Sequence, residues 1–308
     1  MSRIHEALKK AAEERNAAAS KGPIPDLVEL SAQTTIVETP PAVLTPAEPA
    51  PTRQRIDRGA LQYGEFTKRC VPSPWKIEPS ANVFSAHTDH RVGAEKFRTL
   101  RSRLYQIASA QPLKKLLITS STPAEGKTFV AANLAQSFIR QAGRRVLLID
   151  SDLRASRLHL HLGAQDRPGL SDYLNGDCDE FQVTQVGPEE NLCLIPGGRE
   201  VSNPSELLHS ERMRSLLDRM ASIFDWIILD SPPALAVHDA SILADMCDGV
   251  LFVVRAGTTD YELAAKASSE FHDKNLLGVV LNRAERSDSY GDYYYYGYGA
   301  DREAQPEA

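Results

Sequence analysis

Short runs in which every residue is apolar recur through the second part of the chain: Leu116–Ile118, Val146–Ile149, Leu192–Ile195, Trp226–Leu229, Val250–Val254 and Val279–Leu281. A strand that is apolar at every position needs helices over both of its faces, which is the condition of a buried parallel sheet. Helical patterns lie between the runs. Phe129–Gln141 carries Ala131, Leu134, Ala135 and Phe138 as a buried stripe, with Gly143 placed to end it. Asn203-Pro204-Ser205-Glu206 offers an N-cap, a first-turn proline and a capping glutamate ahead of Leu207–Phe224. Asp260 is placed to cap a helix reaching about Lys274. Strands alternating with such helices predict a doubly wound, mostly parallel α/β sheet, with ligands at the carboxyl ends of its strands.

The stretch Ser121-Thr122-Pro123-Ala124-Glu125-Gly126-Lys127-Thr128 joins the first run to the first helix. Gly126, Lys127 and Thr128 stand in the register of the G-x-x-x-x-G-K-[ST] phosphate loop. There, backbone N–H groups and a helix N-terminus cradle phosphates, the lysine neutralises them and the hydroxyl holds Mg²⁺. Ser121 replaces the first glycine of the pattern.

Acidic residues end the two strands expected beside this loop. Asp150 and Asp152 follow Val146–Ile149, and Asp230 follows Trp226–Leu229 just before Ser231-Pro232-Pro233. Carboxylates beside phosphates repel them unless a cation intervenes, so Mg²⁺ held by Thr128 and one or two of these carboxylates is the expected mediator. The combination points to Mg-nucleotide binding; the competing reading is a structural α/β domain whose loop merely resembles a phosphate site.

With 308 residues, 42% of them hydrophobic, the chain can bury one large core with appendages. A net charge of −6 argues against a nucleic-acid partner. Cys70, Cys178, Cys193 and Cys247 have no metal-ligand spacing and are read as free thiols in a reducing compartment. No signal core or membrane-length apolar run is present, so a soluble, cytoplasmic protein is expected.

The expected organisation is an amphipathic N-terminal helix over 1–20, a Pro-rich linker over 21–80, a nucleotide-binding domain over 81–286 and a tail over 287–308. Ile4, Ala7, Leu8 and Ala11 give the first helix an apolar stripe, which either docks to a partner or frays in solvent. Phe97, Leu100 and Leu104 give a second helix its buried face, and Glu95, Arg98 and Arg101 recur beside it as a solvated face of i,i+3 pairs. The tail sets Tyr290, Tyr293, Tyr294, Tyr295, Tyr296 and Tyr298 among glycines and acids, which cannot form a core. Alone it reads equally as a self-association segment; beside a Mg-nucleotide site its phenols become candidate phosphoryl acceptors.

Over roughly residues 81–299 the chain resembles the bacterial tyrosine kinases (BY-kinases) of capsule and exopolysaccharide synthesis, in particular the cytoplasmic kind whose membrane adaptor is a separate polypeptide. The resemblance rests on the variant loop Ser121–Thr128, on Leu148-Ile-Asp-Ser-Asp-Leu-Arg154 and on Ile227-Ile-Leu-Asp-Ser-Pro-Pro233. Ala155-Ser156 departs from the basic residue and proline that relatives often carry there. The N-terminal helix and linker are similar to those of kinases encoded with exosortase-type polysaccharide systems.

That resemblance implies a P-loop NTPase fold of the MinD/ParA-like type and transfer of the ATP γ-phosphoryl to tyrosine. It implies Lys127 on the β/γ-phosphates, Thr128 on Mg²⁺ with Asp152 and Asp230 holding the ion directly or through water, and Asp150 as the group that accepts or orients the tyrosine proton, with Asp152 as the second candidate. Arg154 is expected on the phosphates or the incoming tail, and Asn282 on the adenine edge. It also implies a ring formed through Glu95, Arg98 and Arg101, phosphorylation of the tail in trans, a transmembrane polysaccharide co-polymerase adaptor that recruits the chain to the inner membrane face, and a cognate tyrosine phosphatase. The rival readings are a MinD/ParA-type ATPase switch without kinase activity, whose signature lysine is replaced here by Thr122, and a nucleotide-sensing scaffold.

Overall fold

The computed structural model describes residues 62–85 and 91–284. The expected N-terminal helix, the linker as far as residue 61 and the tail bearing Tyr290, Tyr293–Tyr296 and Tyr298 lie outside the described residues.

The chain order is α1 (Tyr63–Arg69), β1 (Val71–Pro72), α2 (Arg91–Ala110), β2 (Lys115–Ser120), α3 (Lys127–Ile139), β3 (Val146–Asp150), α4 (Leu158–Leu162), α5 (Leu170–Asn175) and α6 (Glu180–Val183). It continues through β4 (Gln185–Val186), β5 (Leu192–Ile195), α7 (Pro204–Leu208), α8 (Glu211–Ile223), β6 (Trp226–Asp230), α9 (Asp239–Ala244), β7 (Gly249–Arg255), α10 (Tyr261–Ser269) and β8 (Leu276–Asn282). The strands form one sheet in the order β1-β4-β5-β3-β6-β2-β7-β8, parallel throughout except between β4 and β5.

The apolar strands divide their side chains between two cores. In β3, Val146 and Leu148 face one core while Leu147 and Ile149 face the other; in β6, Trp226 and Ile228 oppose Ile227 and Leu229. Leu104 of α2 and Leu134 and Phe138 of α3 cover the first face, where Phe138 stacks on Trp226 with ring centroids 4.2 Å apart. Met213, Leu216 and Met220 of α8, Leu243 of α9 and Ala267 of α10 cover the second. Each such buried side chain contributes about 1.5–3 kcal/mol, so neither face of the central strands tolerates a polar residue. No helix among the described residues is long and apolar enough to cross a membrane.

Four expectations need correction. Residues 62–80 are not linker: Phe66 of α1 is fully buried against Phe181 and Phe224, and β1 extends the sheet by pairing with β4. Prolines hid this strand, yet Pro72 is tolerated because β1 lies at the sheet edge. The helix expected over Leu207–Phe224 is two, because Ser210 breaks the path and its side chain caps α8 at the Met213 N–H. The helix begun by Asp260 stops at Ser269, short of Lys274. Finally, β8 is not covered on both faces: it is the other sheet edge, and Val279 and Leu281 are exposed.

Candidate active site

The loop from Ser121 to Gly126 connects the carboxyl end of β2 to the N-terminus of α3. Its shape depends on backbone conformations that few residues adopt. Ala124 has φ 66° and Gly126 φ 95°, and a Cβ on Gly126 would sit 2.1 Å from the Asn282 side-chain nitrogen. Only glycine meets both conditions at position 126.

A buried carboxylate, that of Glu125, ties the loop together from inside. Glu125 accepts the Thr122 backbone N–H at 2.7 Å and the Ser121 hydroxyl at 3.4 Å. Thr259, ahead of α10, donates its hydroxyl to the same carboxylate. Asn282, at the end of β8, donates to the Glu125 carbonyl at 2.9 Å. Asn282 therefore clamps the loop backbone, which is a different contact from the expected adenine edge. Sequence reasoning treated Glu125 as part of the backbone cradle and missed its side chain; Thr259 gave no signal of its own.

Strand order brings the three aspartates to this loop. β6 lies between β2 and β3, with Asp230 in register with Ile118 on one side and with Asp150 on the other. Lys127 reaches across: its ammonium is 3.3 Å from Asp152 Oδ2, with both side chains largely buried. Asp152 Oδ1 accepts the Ala155 N–H at 3.0 Å.

Asp150 is buried and organises the loop after β3. Its Oδ2 accepts the Ser156 hydroxyl at 2.7 Å and the N–H groups of Arg157 and Leu158 at 3.1 and 2.9 Å, while Oδ1 accepts the Asp152 N–H at 3.2 Å. Burial pushes its carboxyl above the usual range, against the pull of those hydrogen bonds.

Asp230 is the uncompensated group. Its Oδ1 is buried without a hydrogen-bond partner. Burial, reinforced by the charges of Asp150 and Asp152, pushes its carboxyl up to about 8, although Lys127 and a Thr128 side-chain hydrogen bond act in the opposite direction. An orphaned carboxylate oxygen beside Thr128 fits a hard divalent cation. No group of three or more His, Cys, Asp or Glu among the described residues makes a metal site by itself. A cation here would thus draw part of its shell from phosphate oxygens and water, as Mg²⁺ does.

The remaining expected residues are placed elsewhere. Arg154 does not point at a free phosphate site; its guanidinium is bonded to Asp239 and Ser205. On α2, Glu95 and Arg98 pair with each other on the exposed surface, and Arg101 donates to the Ser137 carbonyl of α3. Tyr63 donates its hydroxyl to the Glu190 carbonyl, and Tyr105 packs edge-on against Phe138 and Trp226.

A family model described as an AAA domain matches residues 116–264. Tyrosine-protein kinase YwqD of Bacillus subtilis is 35% identical over 218 residues, 70% of this chain and 91% of that protein. Tyrosine-protein kinase wzc of Salmonella typhimurium is 38% identical over 210 residues, 67% of this chain but only 29% of that longer protein. The kinase domain of the Escherichia coli tyrosine kinase ETK superposes with a TM-score of 0.57 at 35% identity, covering 64% of this chain and 80% of that one.

Proposed function

The chain belongs to the bacterial tyrosine-protein kinases, and on that premise we propose that it is an autokinase, transferring the γ-phosphoryl of ATP to the tyrosines of its own C-terminal segment, from one subunit to another. The observation that carries this reading is the convergence of Lys127, Asp150, Asp152 and Asp230 on one phosphate loop, with one carboxylate oxygen of Asp230, Oδ1, left without a partner.

Backbone N–H groups from Ser121 to Gly126, held in place by Glu125, bind the phosphates at the head of α3. Lys127 turns from Asp152 to the β/γ-phosphates, while Thr128, Asp152 and Asp230 are the groups that would hold Mg²⁺, directly or through water. Bound there, the ion would neutralise charge on the phosphates and orient them for in-line transfer. Phosphoryl transfer asks for positioning more than covalent help, which suits a site built from a rigid sheet end.

Asp150 is assigned to the tyrosine proton. Its Oδ1 accepts only one N–H, and burial raises its basicity toward the range useful for proton transfer. Asp152, whose Oδ2 faces Lys127, is the second candidate.

The acceptors are Tyr290, Tyr293, Tyr294, Tyr295, Tyr296 and Tyr298. A ring of subunits, assembled through Glu95, Arg98 and Arg101, would present each tail to a neighbour's site and raise its local concentration there. Each phosphate adds about −1.5 to −2 charges near neutral pH, so accumulated modification loosens the ring by repulsion. In this reading a transmembrane polysaccharide co-polymerase brings the kinase to the inner membrane face, a tyrosine phosphatase resets it, and the cycle regulates export of a capsule or exopolysaccharide.

Incubation of the purified chain with Mg-ATP, followed by mass mapping, tests the reading. Phosphotyrosine confined to residues 290–298 supports it; release of inorganic phosphate with an unmodified tail would indicate a nucleotide switch instead.

A further inference from the structure

One buried carboxylate ties the loop that carries Asp152 to the segment that follows Asp230. Asp239 opens α9 and is fully buried. Arg154 stands two positions after Asp152 and grips it with a bidentate fork, Nε to Oδ2 at 2.8 Å and a terminal nitrogen to Oδ1 at 3.3 Å. Ser205, in the first turn of α7, donates its hydroxyl to Asp239 Oδ1 at 2.5 Å and accepts from Arg154 at 2.9 Å. Three elements distant in sequence thus meet on one acid.

Asp239 is fully buried while Arg154 stays partly exposed, so desolvation of the acid cancels much of the attraction and the pair is a poor source of net stability. Its use is geometric: a bidentate arginine fixes both distance and orientation. One end holds the loop two residues past Asp152, and the other is anchored in α9, after the strand end where sheet pairing fixes Asp230. Outer groups of this kind hold metal-binding side chains in place, and their loss weakens metal binding without touching the ion.

We propose that Arg154, Asp239 and Ser205 form a positioning unit that holds the Asp152 loop in place against the fixed strand end that carries Asp230. Arg154 is thereby a positioning residue and not a phosphate ligand. The inference rests on the reading above that Asp152 and Asp230 share a Mg²⁺ ion.

The test uses the full chain with Asp239→Asn and, separately, Ser205→Ala. Binding of N-methylanthraniloyl-ADP is titrated with Mg²⁺ and repeated in EDTA, and hydrogen exchange of the 151–158 amides is followed without nucleotide. For Asp239→Asn the Mg²⁺ midpoint rises by about tenfold or more. It rises less for Ser205→Ala, affinity in EDTA is unchanged, and the 151–158 amides exchange faster in both. An unmoved Mg²⁺ midpoint with unchanged exchange would overturn the proposal. So would an equal loss of affinity in EDTA, since that would put Arg154 on the phosphates. If Asp239→Asn does not fold, Ser205→Ala decides. If the unmodified chain binds nucleotide without any Mg²⁺ dependence, it is the metal reading that fails, and the exchange rates alone decide whether the unit holds the loop.

Discussion

The Lys127 ammonium lies 3.3 Å from Asp152 Oδ2. In the proposed function, the lysine assigned to phosphate is thus paired, without nucleotide, with one of the carboxylates assigned to the metal, and binding of Mg-ATP would exchange one charge pairing for two. Lys127→Met would remove the proposed phosphate contact and leave Asp152 facing Asp150 and Asp230 without a cation. Phosphotyrosine formation should fall by about 10²–10³-fold or more, as when one preorganised electrostatic donor is lost from a transition state. The nucleotide-free protein should also lose about 1–3 kcal/mol, the penalty for a buried group left unpaired, measured by urea unfolding.

Asp230 should behave in the opposite sense. Its Oδ1 is buried without a partner, so the metal-free fold carries the cost of an unsatisfied acid. Asp230→Asn is expected to raise the unfolding free energy in EDTA by about 1–2 kcal/mol while weakening Mg-dependent nucleotide binding. A variant that is both less stable and unimpaired in binding would show that Asp230 is structural.

The Glu125 side chain and Thr259 define a third test, because they shape the loop without being placed on the phosphates. Thr259→Ala removes the hydroxyl that reaches Glu125 from ahead of α10. Nucleotide affinity is expected to drop by about three- to tenfold, matching the net worth of one ordinary hydrogen bond, with little change in thermal midpoint. Equal affinity in the two proteins would mean that the loop holds its shape without the Thr259 contact.

The alternation of apolar runs gave away the sheet, since Val146–Ile149 and Trp226–Leu229 can be buried on both faces only in such a fold. It also set Asp150, Asp152 and Asp230 at strand ends next to the loop. What stayed hidden was whatever depends on partners distant in sequence. Phe66 carries no periodic signal, and its burial needs Phe181 and Phe224. Asp239 looks like an ordinary helix-start acid until Arg154 is seen to reach it. Val279 and Leu281 read as core because an edge strand has the same composition as a central one; only strand order tells them apart.

The ordered segment before residue 81 makes a stability prediction. Phe66 is fully buried against Phe181 and Phe224, so Phe66→Ala should cost about 3–5 kcal/mol. Urea midpoints measure it. A midpoint equal to that of the unmodified protein would restore residues 62–80 to the linker.

Acid sensitivity should trace in part to Asp225. Burial works against its charged form, but hydrogen bonds and charge from Arg145, with Arg144 adding, outweigh burial and hold the carboxyl below its ordinary value. A depressed folded value means that the stabilisation is complete above the unfolded value of about 3.9 and is lost as pH falls through the folded one. Asp225→Asn should therefore lower stability by about 1–2 kcal/mol at neutral pH, with the gap closing in strong acid. A gap of the same size at pH 2 and pH 7 would assign the loss to packing.

The proposed phosphoryl transfer runs from one subunit to another. Full-length Lys127→Met chain, mixed with an active chain truncated before residue 287, is incubated with Mg-ATP and its tail is mapped for phosphate by mass spectrometry. Phosphotyrosine among Tyr290, Tyr293–Tyr296 and Tyr298 of the Lys127→Met chain is the predicted result. A Lys127→Met tail that stays unmodified, while intact active chain modifies its own, would contradict it.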